Sequence, residues 1–509
     1  MQQPNILLIM TDQMRGDCLG IAGHPDVKTP YLDSLASQGV WFDNAYSACP
    51  SCIAARAALH TGMSQEHHRR VGYQDGVPWR YEHTLAKELS KAGYYTQCVG
   101  KMHVHPLRNY LGFHHVELHD GYMGYYRRST TPYAESQFVA DDYFYWLKEQ
   151  KGVRADLNDS GVECNSWVAR PFPYEEKYHP TNWVTDRSID FLRRRDPDMP
   201  FFLMASYVRP HPPFDAPQCY FDMYKDKKLE PPHVGNWEDD ELWKNNPVSY
   251  DSIVAPKDPE LIRQMQVGYY ACITHLDHQI GRLILALQEQ GLYYNTVILF
   301  VSDHGDQLGD HHYFRKSLPY QGSVNVPFFI SGNASLTGLV PHSVCHNVVE
   351  LRDVMPTILD IAQASIPDTV DGKSVLPLIQ SESSRYKKDA PRSEVGKHAS
   401  DFREYLHGEH AYGDLSNHYI VTEDEKYCWF VKTGEEQYFD LRKDPQEKKN
   451  RIHSPKYQAK IARMREWLMQ ELKDRPEGFV EGQKLIAGKE YPHYMPLPKK
   501  EKWIEVNVE

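Results

Sequence analysis

The stretch Asn5-Ile6-Leu7-Leu8-Ile9-Met10-Thr11-Asp12-Gln13 decides the reading of the fold. Its continuous apolar run over residues 5–10 suits a strand buried on both faces of a parallel sheet. Thr11, Asp12 and Gln13 then fall at the C-terminal end of that strand, the end where open α/β sheets carry their ligand sites. Further runs of this kind lie at 95–99, 201–206, 296–301 and 326–330, and helical periodicity separates them at 30–38, 83–92, 181–194 and 259–290. The alternation predicts an α/β domain in which helices flank a large, mostly parallel central sheet.

The pattern dissolves over residues 107–179, which are rich in Tyr, Arg and Asp. That length exceeds a plain connection and reads as an insertion on the substrate side. Residues 380–400, rich in Ser, Lys, Arg and Glu, read as an exposed linker. Beyond it, 419–422, 427–432 and 437–440 suggest short antiparallel strands, and 456–473 has helical periodicity. The expected division is a catalytic domain over 1–375 and a smaller C-terminal α+β subdomain with a short antiparallel sheet over 376–509.

Composition narrows the class of function. With 41% hydrophobic and 25% charged residues in 509, the chain is an ordinary globular protein. A net charge of -12 disfavours attraction to nucleic acid or anionic lipid, so neither is expected as a partner. The N-terminus lacks the basic segment and long apolar core of a secretory signal, and no run is long enough to span a membrane. Nine cysteines without framework spacing suit a reducing compartment, and the expected location is cytoplasmic. Oligomeric state is not legible.

Two segments carry candidate metal ligands. Asp12 and Gln13 close the first strand, and Ser302-Asp303-His304-Gly305-Asp306 closes the strand over 296–301. Each pair offers a carboxylate and a neutral donor, and the two together suit a divalent cation held between strand ends. A third segment, Cys52-Ile53-Ala54-Ala55-Arg56-Ala57-Ala58-Leu59-His60-Thr61-Gly62, sets a cysteine before an Ala-rich helix, with Arg56 one turn along the same face. Read alone, it is a helix with a cysteine at its capping position, where unpaired backbone donors favour anionic oxygen.

That third segment resembles the signature of the formylglycine-dependent sulfatases, in the alkaline phosphatase superfamily: Cys or Ser, any residue, Pro or Ala, any residue, Arg, then Leu-x-Thr-Gly. The resemblance implies an alkaline-phosphatase-like fold and hydrolysis of a sulfate ester to alcohol and sulfate. It further implies that Cys52 becomes formylglycine through a separate maturing enzyme, which makes that enzyme and a small sulfated substrate the expected partners. Cys49 is the competing cysteine, but the residue four beyond it is Ile53.

Other motifs extend the likeness over nearly the whole chain. Gly100-Lys101-Met102-His103 matches the family's Gly-Lys-x-His, Lys316 follows Asp303 by thirteen residues, and Pro210-His211-Pro212-Pro213 resembles its Pro-His-x-Pro turn. The resemblance then implies that Arg56, Lys101 and Lys316 hold sulfate oxygens, that His211 protonates the leaving alcohol, and that His103 takes a proton from the aldehyde hydrate. Asp12, Gln13, Asp303, His304 and the modified Cys52 would be the metal ligands. His105, Arg108, His179 and Arg209 stand near these motifs and are candidate substrate contacts.

The departures are informative. The family usually has a second Asp where Gln13 stands and often Asn where His304 stands, which leaves Mn2+ and Zn2+ as contenders although Ca2+ is the expected ion. The family's usual Glu and Arg are missing at 321–325. Expected substrates are sulfated glycan fragments or aryl sulfates, and the competing activity is hydrolysis of phosphonate monoesters or phosphodiesters by the same kind of site.

Overall fold

A computed structural model describes residues 3–121, 141–238, 249–380, 393–395 and 402–495. Nine strands build one sheet: β1 (Asn5–Asp12), β2 (Val40–Phe42), β3 (Tyr95–Gly100), β4 (His115–Leu118), β5 (Phe201–Pro210), β6 (Thr296–Ser302), β7 (Phe328–Gly332), β8 (Ser343–Cys345) and β9 (Ser393–Val395). Their order across the sheet is β9-β8-β2-β7-β6-β1-β5-β3-β4. β1 pairs in parallel with both β5 and β6, with Ile6 opposite Phe202 on one side and Val297 on the other.

Every residue of β1 is buried, as its uninterrupted apolar sequence requires. Alternation sends Leu7 and Ile9 into one core, with Trp183, Leu276 and Leu283 from the helices Pro180–Arg194 and Pro259–Glu289. Ile6, Leu8 and Met10 enter the other core with Ile53, Leu59 and Ile358, carried by the helices Cys52–Thr61 and Val354–Ile361. The expected parallel character holds except at β7, which runs antiparallel to β6 and β2. Because β1, β3, β5 and β6 are mutually parallel, their C-terminal ends share one edge of the sheet.

The C-terminal region forms a four-stranded antiparallel meander of Leu406–His410, Asn417–Val421, Glu425–Phe430 and Glu436–Asp440. One face of it, including Ile420, Tyr427 and Trp429, packs on Ile461, Met464 and Leu468 of the helix Gln458–Leu472. The other face, including Leu406, Tyr419 and Phe439, packs on Tyr46, Ala48, Leu318 and Tyr320. Most of the linker read at 380–400 lies outside the described residues, but Ser393–Val395 is strand β9, paired with β8. Part of the insertion read at 107–179 also lies outside them; within the rest, β4 and the helix Asp142–Lys151 are ordered elements. No helix among the described residues is long and apolar enough to cross a membrane.

Candidate active site

Ser51 is extended (φ -150°, ψ 132°) and Cys52 opens the helix that ends at left-handed Gly62, so the thiol sits where the first helical N–H groups lack internal partners. All ten residues of this helix are buried. Cys52 Sγ lies 3.2 Å from His304 Nε2 and 3.7 Å from Asp12 Oδ1. Burial and Asp12 push the thiol up, yet Lys101, Lys316 and His304 outweigh them and it titrates below its ordinary value. Cys49 has no such cations, and burial drives its thiol well above the usual range.

Asp12, Cys52, Asp303 and His304 each present a ligand atom within 4.8 Å of the others, and all four are buried. His304 Nδ1 donates to the Gly305 carbonyl at 2.9 Å, which fixes the tautomer and turns Nε2 toward the cluster. Nε2 is 3.6 Å from Asp12 and 3.7 Å from Asp303. Two carboxylates from adjacent strand ends with an imidazole nitrogen fit a divalent cation of the hard to borderline kind. Burial alone would raise Asp12, but Lys101, His211, Arg56 and His304 hold it well below the usual carboxylate range.

Lys101 Nζ donates to Asp12 Oδ2 in a short contact. Arg56, fully buried, donates from Nε to Asp303 Oδ2 at 3.0 Å and from one terminal nitrogen to Lys101 O at 2.8 Å and Ser206 Oγ at 3.0 Å. These bonds use Nε and one terminal nitrogen to brace the carboxylate cluster and the Lys101 backbone, while the other terminal nitrogen makes no hydrogen bond among the described residues. The approach of β3 to β5 depends on Gly100, which has φ +105° and would place a Cβ 1.9 Å from Ser206 O. Lys101 N then donates to that same carbonyl.

Gln13 also takes a left-handed backbone, with φ 69°. Its N–H donates to Asp303 Oδ1 at 3.1 Å, its Nε2 to Asp306 Oδ2 at 2.5 Å, and its Oε1 accepts from Lys316 Nζ at 2.6 Å. The second lone pair of Oε1 leaves the carboxamide competent as a neutral ligand. Lys316 Nζ is also 3.1 Å from His211 Nε2, while His211 Nδ1 donates to Pro212 O at 2.8 Å. His103 is held by backbone, at φ 57° with its N–H on Asp120 Oδ1 at 3.0 Å, and its ring meets Tyr73 edge-on at 5.8 Å.

Three of the four candidate substrate contacts pair with carboxylates. Arg209 gives two nitrogens to Asp215 at 2.6 and 2.7 Å, and both side chains are buried. His179 Nε2 adds to the same carboxylate at 3.4 Å, and its Nδ1 caps the helix Pro180–Arg194 by accepting from Thr181 N. Arg108 pairs bidentately with Asp142, and His105 is half-buried with its carbonyl accepting from Trp79 N. These contacts make His179 and Arg209 framework residues, a correction to their reading as substrate contacts.

Conversely, Asp306, Ser206, Asp120 and Tyr269 carry parts of the site that were not singled out. Tyr269 OH donates to Gln13 O at 2.6 Å and accepts from Arg15 N at 3.0 Å, pinning the turn after β1. Only Asp306 had a signal in sequence, as the last carboxylate of the Ser302–Asp306 motif.

A sequence model of the sulfatase family matches residues 4–364, and one of the C-terminal region of N-sulphoglucosamine sulphohydrolase matches residues 309–474. The chain is 51% identical over 490 residues to an arylsulfatase of Clostridium perfringens (strain 13 / Type A), covering 96% of this chain and 98% of that protein. Among solved structures it resembles a phosphonate monoester hydrolase of Agrobacterium radiobacter, with TM-score 0.73, 24% identity, and 92% and 95% of the two chains covered. It also resembles BT4656, solved with its substrate D-glucosamine-2-N,6-O-disulfate, with TM-score 0.71, 20% identity, and 93% and 98% covered. These two structural likenesses bear on the fold.

Proposed function

Because the chain belongs to the sulfatase family and is a sulfuric ester hydrolase, we propose that Cys52, matured to formylglycine, is its nucleophile at a divalent-metal site made by Asp12, Gln13, Asp303 and His304. One observation carries the assignment: Cys52 Sγ sits against the Asp12–His304 pair, with Lys101 and Lys316 close enough to lower its thiol. That sulfur stands where the oxygens of the hydrated aldehyde would be. The hydrate supplies a geminal diol, one oxygen attacking sulfur and the other expelling sulfate as the aldehyde re-forms. The cation, when bound, supplies Lewis acidity toward the developing negative charge.

The chain's own residues do the rest. Lys101 and Lys316 receive sulfate oxygens and the charge that spreads in the transition state. Arg56 fixes the carboxylates that define the metal position. Once a sulfate oxygen draws Lys316 away, His211 Nε2, the nitrogen that accepts from that ammonium here, can take up a proton and pass it to the departing alcohol oxygen, and His103 removes a proton from the hydrate. Calcium is the ion proposed, and the imidazole of His304 is the feature that would turn the preference to manganese or zinc.

For substrate we propose an aryl sulfate or a sulfated glycan fragment, supported by the name of the Clostridium perfringens relative. We also propose the domain division at 375/376 and a cytoplasmic location, the latter supported by nine free cysteines. The Gln13 and His304 departures keep phosphonate ester hydrolysis as the second reading. Assay of formylglycine-bearing protein against aryl sulfates, sulfated mono- and disaccharides and a phenyl phosphonate ester decides between them. Preference for the phosphonate ester would reverse the proposal.

A further inference from the structure

His410 ends the strand Leu406–His410, whose alternate residues face opposite ways. Leu406 lies on the face that packs against Tyr46, Ala48 and Leu318 of the catalytic unit. Gly408, next on that face, gives its side-chain space to the Tyr419 ring. His410 is the third residue of the row and continues it toward the nucleophile.

Three independent ties locate it. The preceding N–H, of Glu409, donates to Ala48 O at 2.8 Å, in the segment leading to Cys52. Its cross-strand partner Asn417 donates to Ser317 O at 3.0 Å, next to Lys316. The following Ala411 N donates to Val71 O at 2.6 Å, beside the stretch that brings Tyr73 against His103. His410 is thus enclosed by the segments carrying Cys52, Lys316 and Tyr73.

Its ring is 0% exposed, and among the described residues neither Nδ1 nor Nε2 has a hydrogen-bond partner. Such a group is costly to bury unless something bonds it. Burial, then the charges of His493, His304 and Lys316, push it down to about 3, so it stays a neutral imidazole with one donor and one acceptor. Tyr73, 38% exposed, accepts at its carbonyl from His493 Nδ1 and marks the outer rim.

We infer that His410 is a specificity-determining residue of the C-terminal subdomain, hydrogen-bonding an uncharged hydroxyl on the leaving group of the sulfate ester. A hydroxyl, both donor and acceptor, matches a neutral imidazole better than a carboxylate or ammonium does. The inference rests on the sulfatase reading above.

The test compares wild type, His410→Ala and His410→Gln as full-length, metal-loaded, formylglycine-bearing proteins on glucosamine 6-sulfate and 4-nitrophenyl sulfate. The kcat/KM ratio of sugar to aryl ester should fall roughly 5- to 150-fold in His410→Ala. It should recover in part in His410→Gln, which restores a donor and an acceptor and stands in should the alanine variant fail to fold. An unchanged ratio in both variants, or a wild type that turns over the aryl ester but not the sugar ester, overturns the inference. A wild type that hydrolyses neither ester defeats the underlying reading instead.

Discussion

Lys316 Nζ lies 3.1 Å from His211 Nε2, so an ammonium donates to the nitrogen that faces the site. With Nδ1 committed to the Pro212 carbonyl, Nε2 is the position through which His211 exchanges a proton with a leaving group. His211→Ala should slow a sugar sulfate by ~10²–10⁴-fold, the usual worth of general acid catalysis. Nitrophenyl sulfate, whose leaving group departs as a stable anion, should lose far less. Equal losses on the two esters would assign His211 to sulfate positioning.

Mass spectrometry of active protein should find formylglycine at residue 52 and an unmodified cysteine at 49. Only Cys52 combines Arg56 at the motif spacing with the Asp12–His304 surroundings. Activity in protein whose Cys52 is wholly unmodified would sink the mechanism.

Chelation should abolish turnover, and adding back a divalent ion should restore it. Asp303→Asn, which removes a carboxylate bonded by Arg56 and by the Gln13 N–H, should be nearly inactive. Asp306→Asn is the subtler probe, since Asp306 orients Gln13 from behind. Loss of such an outer partner typically weakens metal affinity about 10–100-fold. Direct metal titration checks this without reference to activity.

Arg209→Met should destabilise by ~3–5 kcal/mol, because it strands the Asp215 carboxylate in a fully buried position. Burial raises Asp215, but Arg209 and His179 overcome it and lower the group from 3.8 to about 2. A depressed carboxylate stabilises the fold fully above its unfolded value, near pH 4, and that contribution, about 2 kcal/mol, is lost as pH falls toward 2. Denaturant midpoints at pH 5 and pH 3 should therefore diverge less in Asp215→Asn than in wild type. An unchanged divergence would remove Asp215 from the acid limb.

The long strands of the sheet were legible because double burial demands unbroken apolar sequence, as in β1 and β6. β2 and β8, with three residues each, are too short to show a period. Leu406–His410 escaped for a different reason: Leu-His-Gly-Glu-His has no apolar alternation, since one face carries His407 and Glu409 in polar contacts with His418 and the other carries Gly408 and His410. At the site, Asp12, Asp303 and Lys101 were readable from their places at strand ends. Arg209 misled because nearness to His211 in sequence says nothing of direction; its guanidinium goes to Asp215. Asp306 and Ser206 act through other residues, and Ser206 does so from the middle of β5, where residue type gives no sign of it.

The burial of the whole Cys52–Thr61 helix orders events in time. If Cys52 is matured as proposed, the maturing enzyme must reach a thiol that in the finished molecule is sealed, with Arg56, between sheet and helices. Under that proposal maturation would have to precede closure of the core. On that proposal, a chain that closes its core first would keep an unmodified thiol, and the active fraction would report the order of the two events.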